Sequence, residues 1–196
     1  MKSSSFKRIV AVVLCLAAIL HILAIDLRPD NISVQSGGGM GAVTCGTGWR
    51  YGKCGRWETE LLIGYIPRYD SNSSKATVAL KENFVPWQVR LNDSFTLEPL
   101  TTSLYFTTII SKRFWTQQPD RYPSGYYILP TKIRANISIG QRVRWHVPKA
   151  RLIDCFSAYY EFGTCDIYAL CAAGNKEIKP HDWLQLCIGI KMTFRK

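Results

Sequence analysis

Strict alternation is the feature that most constrains this chain. "KIRANISI" sets Ile133, Ala135, Ile137 and Ile139 on one face and Lys132, Arg134, Asn136 and Ser138 on the other. "RVRWHV" continues with Val143, Trp145 and Val147 against Arg142, Arg144 and His146. "WLQLCIGIKMTF" aligns Leu184, Leu186, Ile188, Ile190, Met192 and Phe194, with Cys187 on the opposite face. A period of two belongs to strands and not to helices. In a water-soluble fold the apolar parity faces the core. That places Val143, Trp145 and Val147 inward and leaves Arg142, Arg144 and His146 as a solvent-facing basic stripe open to an anion. A three-residue loop after Ile139, or one strand bent at Gly140, preserves this parity.

The rest of the chain from Glu60 onward reads the same way. "ELLIGYI", "KATVAL", "PWQVRL", "SFTLEPL" and "SLYFTTII" are short, β-branched or aromatic, and punctuated by Asn, Asp, Ser and Pro. No helix of convincing period is expected. Many short strands predict an all-β fold, an antiparallel β-sandwich over 60–196. Before it, 26–59 is a Gly- and Cys-bearing segment, "QSGGGMGAVTCGTGWRYGKCGRWE". It lacks the G-K-[ST] ending of a phosphate loop and reads as a disulfide-held surface loop.

At the N-terminus, "KRIVAVVLCLAAILHILAID" has a run of 17 positions from Ile9 to Ile25, all apolar but His21. The length reaches the lower limit of a membrane helix, and no small-x-small cleavage site follows. Basic residues ahead of it keep the N-terminus cytoplasmic. The expectation is a tail over 1–8, a signal anchor over 9–25 entering a lipid bilayer, and the remainder outside the plasma membrane. The alternative is a cleaved signal and a secreted binding protein, a lipid carrier or effector. The net charge of +11 points to anionic surroundings.

Four of six asparagines begin N-x-[ST] triplets: Asn31, Asn72, Asn92 and Asn136. This suggests a secretory-pathway glycoprotein with these residues on the surface, Asn31 being closest to the membrane. Cys45, Cys54, Cys155, Cys165, Cys171 and Cys187 form an even set beyond the apolar run. In an exported domain they predict up to three disulfides of undetermined connectivity. Their spacings contain no C-x2-C and no His between close cysteines, so no metal site is expected.

Catalytic signals are weak. His181 adjoins Asp182 in "KPHDWL", but neighbours on an extended chain point apart, and a turn is the plainer reading. There is no G-x-S-x-G and no H-E-x-x-H. No enzyme and no cofactor are expected. Nucleic acid fails on compartment; anionic polysaccharide, lipid headgroups or other membrane proteins remain as partners.

"DLRPDNISV" after the apolar run, "FTLEPL" at Phe95–Leu100, and "RVRWHV" leading to "ARLIDC" at Cys155 occur in the order found in one family. In these pieces the chain resembles plant harpin-induced-like membrane proteins of the late embryogenesis abundant group two class. The usual N-P-N is replaced by "GYIPRYDSN". The resemblance implies one N-terminal span, an external β-sandwich, a role in defence or stress, and no catalytic residues.

Overall fold

A computed structural model describes residues 28–68, 74–110, 133–148, 150–174 and 179–195. The expected anchor over 9–25 and the acceptor Asn72 lie outside the described residues. Among those described, no helix is long and apolar enough to cross a membrane.

The all-β expectation holds, but the strands close into a barrel instead of stacking as a sandwich. The strands are β1 (Asn31–Gly37), β2 (Val43–Tyr51), β3 (Trp57–Ile66), β4 (Lys75–Phe84), β5 (Val89–Arg90), β6 (Phe95–Ile110), β7 (Ile133–His146), β8 (Ile153–Cys165) and β9 (Gln185–Phe194). Their order is β4-β3-β2-β1-β9-β8-β7-β6-β5, and β4 also pairs with β6. That last pairing closes an antiparallel ring of 8 staves, with the two-residue β5 beside it. Closure leaves no long edge strand unpaired.

Registered neighbours climb the wall. Arg50, Glu58, Asn83, Ser103, Ser138, Gly163 and Gln185 form one continuous row. The row starts where β2 ends and finishes where β9 begins at the opposite rim. This corresponds to a stagger of about ten residues and a strand tilt of about 40°.

Both described chain ends lie at one rim, called here the termini rim. Its connections are 52–56, 85–94 and 147–152; those of the far rim are 38–42, 67–74, 111–132 and 166–184. The far rim carries the helices Asp166–Gly174 and Pro180–Trp183, which the periodicity did not predict. The first has nine residues and weak amphipathicity, too little pattern to read from sequence.

Three expectations are corrected by this architecture. The stretch Gln35–Glu58 is not a surface loop, since the end of β1, all of β2 and the start of β3 are drawn from it. Strand β7 runs unbroken through Gly140 for 14 residues, which decides the bend-or-loop question for one strand. The third correction is the largest: parity was read correctly, and its direction was reversed. Ile137, Ile139, Val143 and Trp145 face outward, while Asn136, Ser138, Arg142 and Arg144 are buried inside. Strand β9 does the same, with Ile188 and Ile190 outside and Cys187, Lys191 and Thr193 inside.

Candidate functional site: a charged interior within an apolar wall

The inward positions of the staves are polar in most layers. Glu58 and Glu60 come from β3, Glu98 from β6 and Glu161 from β8. They meet Lys81 from β4, Arg142 and Arg144 from β7, and Lys191 from β9. Buried charge is tolerated only when paired and hydrogen-bonded. Glu58 is the hub: Arg142 Nη1 lies 2.9 Å from its Oε2, and Lys191 Nζ donates to its Oε1 at 2.7 Å. Asn31 Nδ2 donates to the same Oε1 at 2.6 Å.

Neighbouring layers extend the network. Glu60 takes Lys191 at 3.2 Å, Ser33 Oγ at 2.8 Å and Asn83 Nδ2 at 2.8 Å. Glu98 lies between Arg142 at 3.4 Å and Arg144 at 3.3 Å. Lys81 Nζ is 2.6 Å from Glu161 Oε2, which also accepts from Ser138 Oγ at 3.0 Å. The Tyr159 ring is shared by three cations, with Lys81, Arg142 and Lys191 at 5.7, 5.7 and 5.6 Å from its centroid. Gly189 makes room for that ring: a Cβ there would strike the phenol. The Tyr159 hydroxyl donates to Gln35 Oε1 at 2.7 Å.

The far rim is sealed by an apolar cluster of Met40, Leu62, Ala79, Tyr105 and Cys187. Met40 reaches it because the β1–β2 turn folds inward on Gly37, Gly38, Gly39 and Gly41, all at positive φ. Tyr105 Oη donates to Gly38 O at 2.8 Å, and Thr77 Oγ1 donates to Met40 O.

The outside is the complement. Ile32, Leu61, Ile63, Leu80, Leu104, Ile137, Ile139, Ile188 and Ile190 are exposed side chains on the wall. Aromatic residues gather toward the termini rim, where Trp57 packs on Phe84 at 4.6 Å and Trp145 on Phe156 at 6.3 Å between ring centroids. Tyr65 and Phe162 stand toward the far rim.

This geometry relocates the residues singled out in the sequence. Arg142 and Arg144 are no solvent-facing stripe: both are buried and bonded to glutamates. His146 turns inward at the termini rim, its Nε2 3.0 Å from Thr96 Oγ1. Asn31 and Asn136, expected as surface glycan acceptors, are 0% and 3% exposed inside the barrel. A glycan on either would have to displace the interior network. Asn92 is exposed in the β5–β6 turn, where its Oδ1 accepts from Ser94 N and Phe95 N.

The predicted disulfides are absent among the described cysteines, which are all free. Cys45 and Cys171 are exposed, Cys54 lies in the 52–56 turn, and Cys155 and Cys187 are buried near opposite rims. Asp182 lies in the one-turn helix Pro180–Trp183, where its Oδ2 accepts from the capping Lys179 N at 3.0 Å; the His181 side chain lies outside the described residues.

Sequence reasoning missed the glutamates. Glu58, Glu60, Glu98 and Glu161 form no motif, and their common signal is inward parity between apolar neighbours on each stave. Together the fold and the site define a closed antiparallel barrel with an ionic interior and an apolar exterior. No protein family, curated protein or solved structure matches the chain.

Proposed function

We propose that this protein is an integral membrane β-barrel whose staves each cross a bilayer once, with a sealed interior that makes it an anchor and scaffold for its far-rim connections and not a pore. The observation that carries this reading is the reversal of inside and outside. Soluble proteins do not hold their ionic side chains in the middle and present aliphatic or aromatic side chains on every stave. Against hydrocarbon the same arrangement is the stable one, because closure satisfies every backbone hydrogen bond in the wall.

Other features agree. An even number of antiparallel staves, most of 9 to 16 residues, suits a tilted crossing. Aromatic residues at the rims suit the level of the headgroups. The outward carboxylate of Glu82 stands near the termini rim, where Tyr51 Oη donates to it at 2.7 Å and Thr59 Oγ1 at 2.5 Å. An apolar groove of about 510 Å³ in the outer wall, beside Trp145, Phe156 and Ile190, suits a lipid chain. The sealed interior is supported by Arg142, Lys81, Lys191 and Glu58, each 2% exposed or less.

In this proposal the apolar run over 9–25 serves as an export signal. The earlier picture of one helix tethering a soluble sandwich would leave the apolar wall in water.

The test is reconstitution. The full chain, refolded into phospholipid vesicles, should float with them and resist alkaline carbonate extraction. It should also migrate differently on electrophoresis with and without boiling. A monodisperse monomer in detergent-free buffer would overturn the proposal.

A further inference from the structure

At the termini rim, β7 and β8 bring together three donors at the margin of the interior network, where Arg144 touches two of them. His146 and Cys155 are directly opposed in the register, both on the inward side. The register slips between Ile153 and Cys155, so Asp154 is the extra residue of a β-bulge. A bulge lets two consecutive side chains lean the same way, which a regular strand forbids. As a result one ligand atom each from His146, Asp154 and Cys155 lies within 4.8 Å of the others.

From this juxtaposition we propose a binding site for a zinc-class divalent transition metal, held by His146, Asp154 and Cys155. The donor set selects the ion. Sulfur and imidazole disfavour magnesium and calcium, which take oxygen, and suit zinc or cobalt. Side-chain shifts of about 1 Å bring all three donors to the usual 2.0 to 2.3 Å from one ion. Three protein ligands leave a fourth position open, as in sites that keep a water or bind a further group.

The surroundings fit an outer shell. Thr96 Oγ1 is 3.0 Å from His146 Nε2 and fixes the ring. Arg144 Nη2 donates to Cys155 Sγ at 3.3 Å, lies 3.9 Å from Asp154 Oδ2, and ties both to Glu98. Asp154 also lines a polar cleft of about 420 Å³ at the rim, bordered by Asp30, Arg50 and Arg195. That cleft gives a hydrated ion an access path, whereas Cys155, at 0% exposure, is out of reach of a larger substrate. The sequence pointed away from metal because it was searched for close cysteine pairs. Here the ligands come from two strands facing across a turn.

Cobalt titration of the full chain in detergent micelles tests the site. A thiolate-to-cobalt charge-transfer band should appear at one ion per chain and vanish on adding zinc. Cys155→Ser should abolish the band, while Cys187→Ser and Cys54→Ser leave it intact. His146→Ala should weaken zinc by more than about 100-fold, beyond the loss expected from an outer-shell partner. Far-ultraviolet circular dichroism confirms that each variant still folds. No band in the folded chain, or an undiminished band in Cys155→Ser, overturns the site. The titration needs only the closed barrel, so a failed vesicle insertion and a failed metal titration are separate results.

Discussion

Arg142 on β7 reaches across the interior to Glu58 on β3, Nη1 to Oε2 at 2.9 Å, joining residues 84 apart in sequence on staves that are not neighbours in the wall. Such cross-lumen pairs replace the packed apolar core of a soluble barrel. Their energetics are lopsided: a buried pair adds little over an apolar substitute, but removing one partner strands the other charge.

The pair of Lys81 and Glu161 isolates that asymmetry best, because its partners are few. Lys81→Met leaves Glu161 buried with the Ser138 hydroxyl and the more distant charge of Arg142, and should lower unfolding stability by about 3–5 kcal/mol. The double variant Lys81→Met, Glu161→Leu should recover most of the loss, with a coupling well above 1 kcal/mol. Urea unfolding in vesicles, followed by tryptophan fluorescence, measures both. If the separate losses of Lys81→Met and Glu161→Leu simply add in the double variant, the pair is not coupled.

A charge on the wall should depend on depth if lipid surrounds it. Ile139 is outward, 54% exposed and central on β7. Ile139→Arg should cost about 2–4 kcal/mol in a bilayer, whereas Trp145→Arg at the rim should lose only the ring packing and about 0–1 kcal/mol for its charge. In water an exposed Ile→Arg change is close to neutral. Refolding yields and urea midpoints in vesicles compare the two positions. A neutral Ile139→Arg would argue against lipid on that face.

The free cysteines provide a topology measurement. Cys54 lies in a termini-rim turn and Cys171 in the far-rim helix, so they should face opposite sides of a vesicle. A charged maleimide added outside should label one of them in an oriented preparation and both after detergent. Cys45 is exposed yet on the outward wall of β2, opposite Val34, and should stay unlabelled until detergent is added. Prompt labelling of Cys45 in intact vesicles would place that wall in water. Dithiothreitol should leave the unfolding midpoint unchanged, because no described cysteine is bridged.

How much of this was legible in the sequence follows from what alternation can and cannot encode. The period of two gave the strands from Glu60 onward and their parity, but left the continuity of β7 through Gly140 open and missed β2. It could not give direction, because parity is the same whether the apolar face meets a core or a bilayer. Arg142, Arg144 and Lys191 share the inward parity with Glu58 and Glu161, a balance of charge visible only once the four staves β3, β7, β8 and β9 are placed in one ring. The sandwich expectation failed because the ring depends on pairing β1 with β9, strands from opposite ends of the described chain whose meeting no local signal announces. The metal-type cluster escaped notice because its third donor enters through a bulge.

The far-rim seal yields the last prediction. Met40 is fully buried against Leu62, Ala79, Tyr105 and Cys187, and Gln35 Nε2 donates to its sulfur at 3.2 Å. Met40→Ala removes the side chain that fills this mouth and should lower stability by about 2–5 kcal/mol. A local loss of about 2 kcal/mol raises the population of an opened turn by about 30-fold. Cys187, 2% exposed beneath Met40, then becomes the reporter. In a variant whose other cysteines are serine, its alkylation should speed up by that factor in Met40→Ala, and by a smaller factor in Tyr105→Phe, which loses only the hydrogen bond to Gly38 O. Unchanged alkylation in both variants would mean that the β1–β2 turn does not close the far rim.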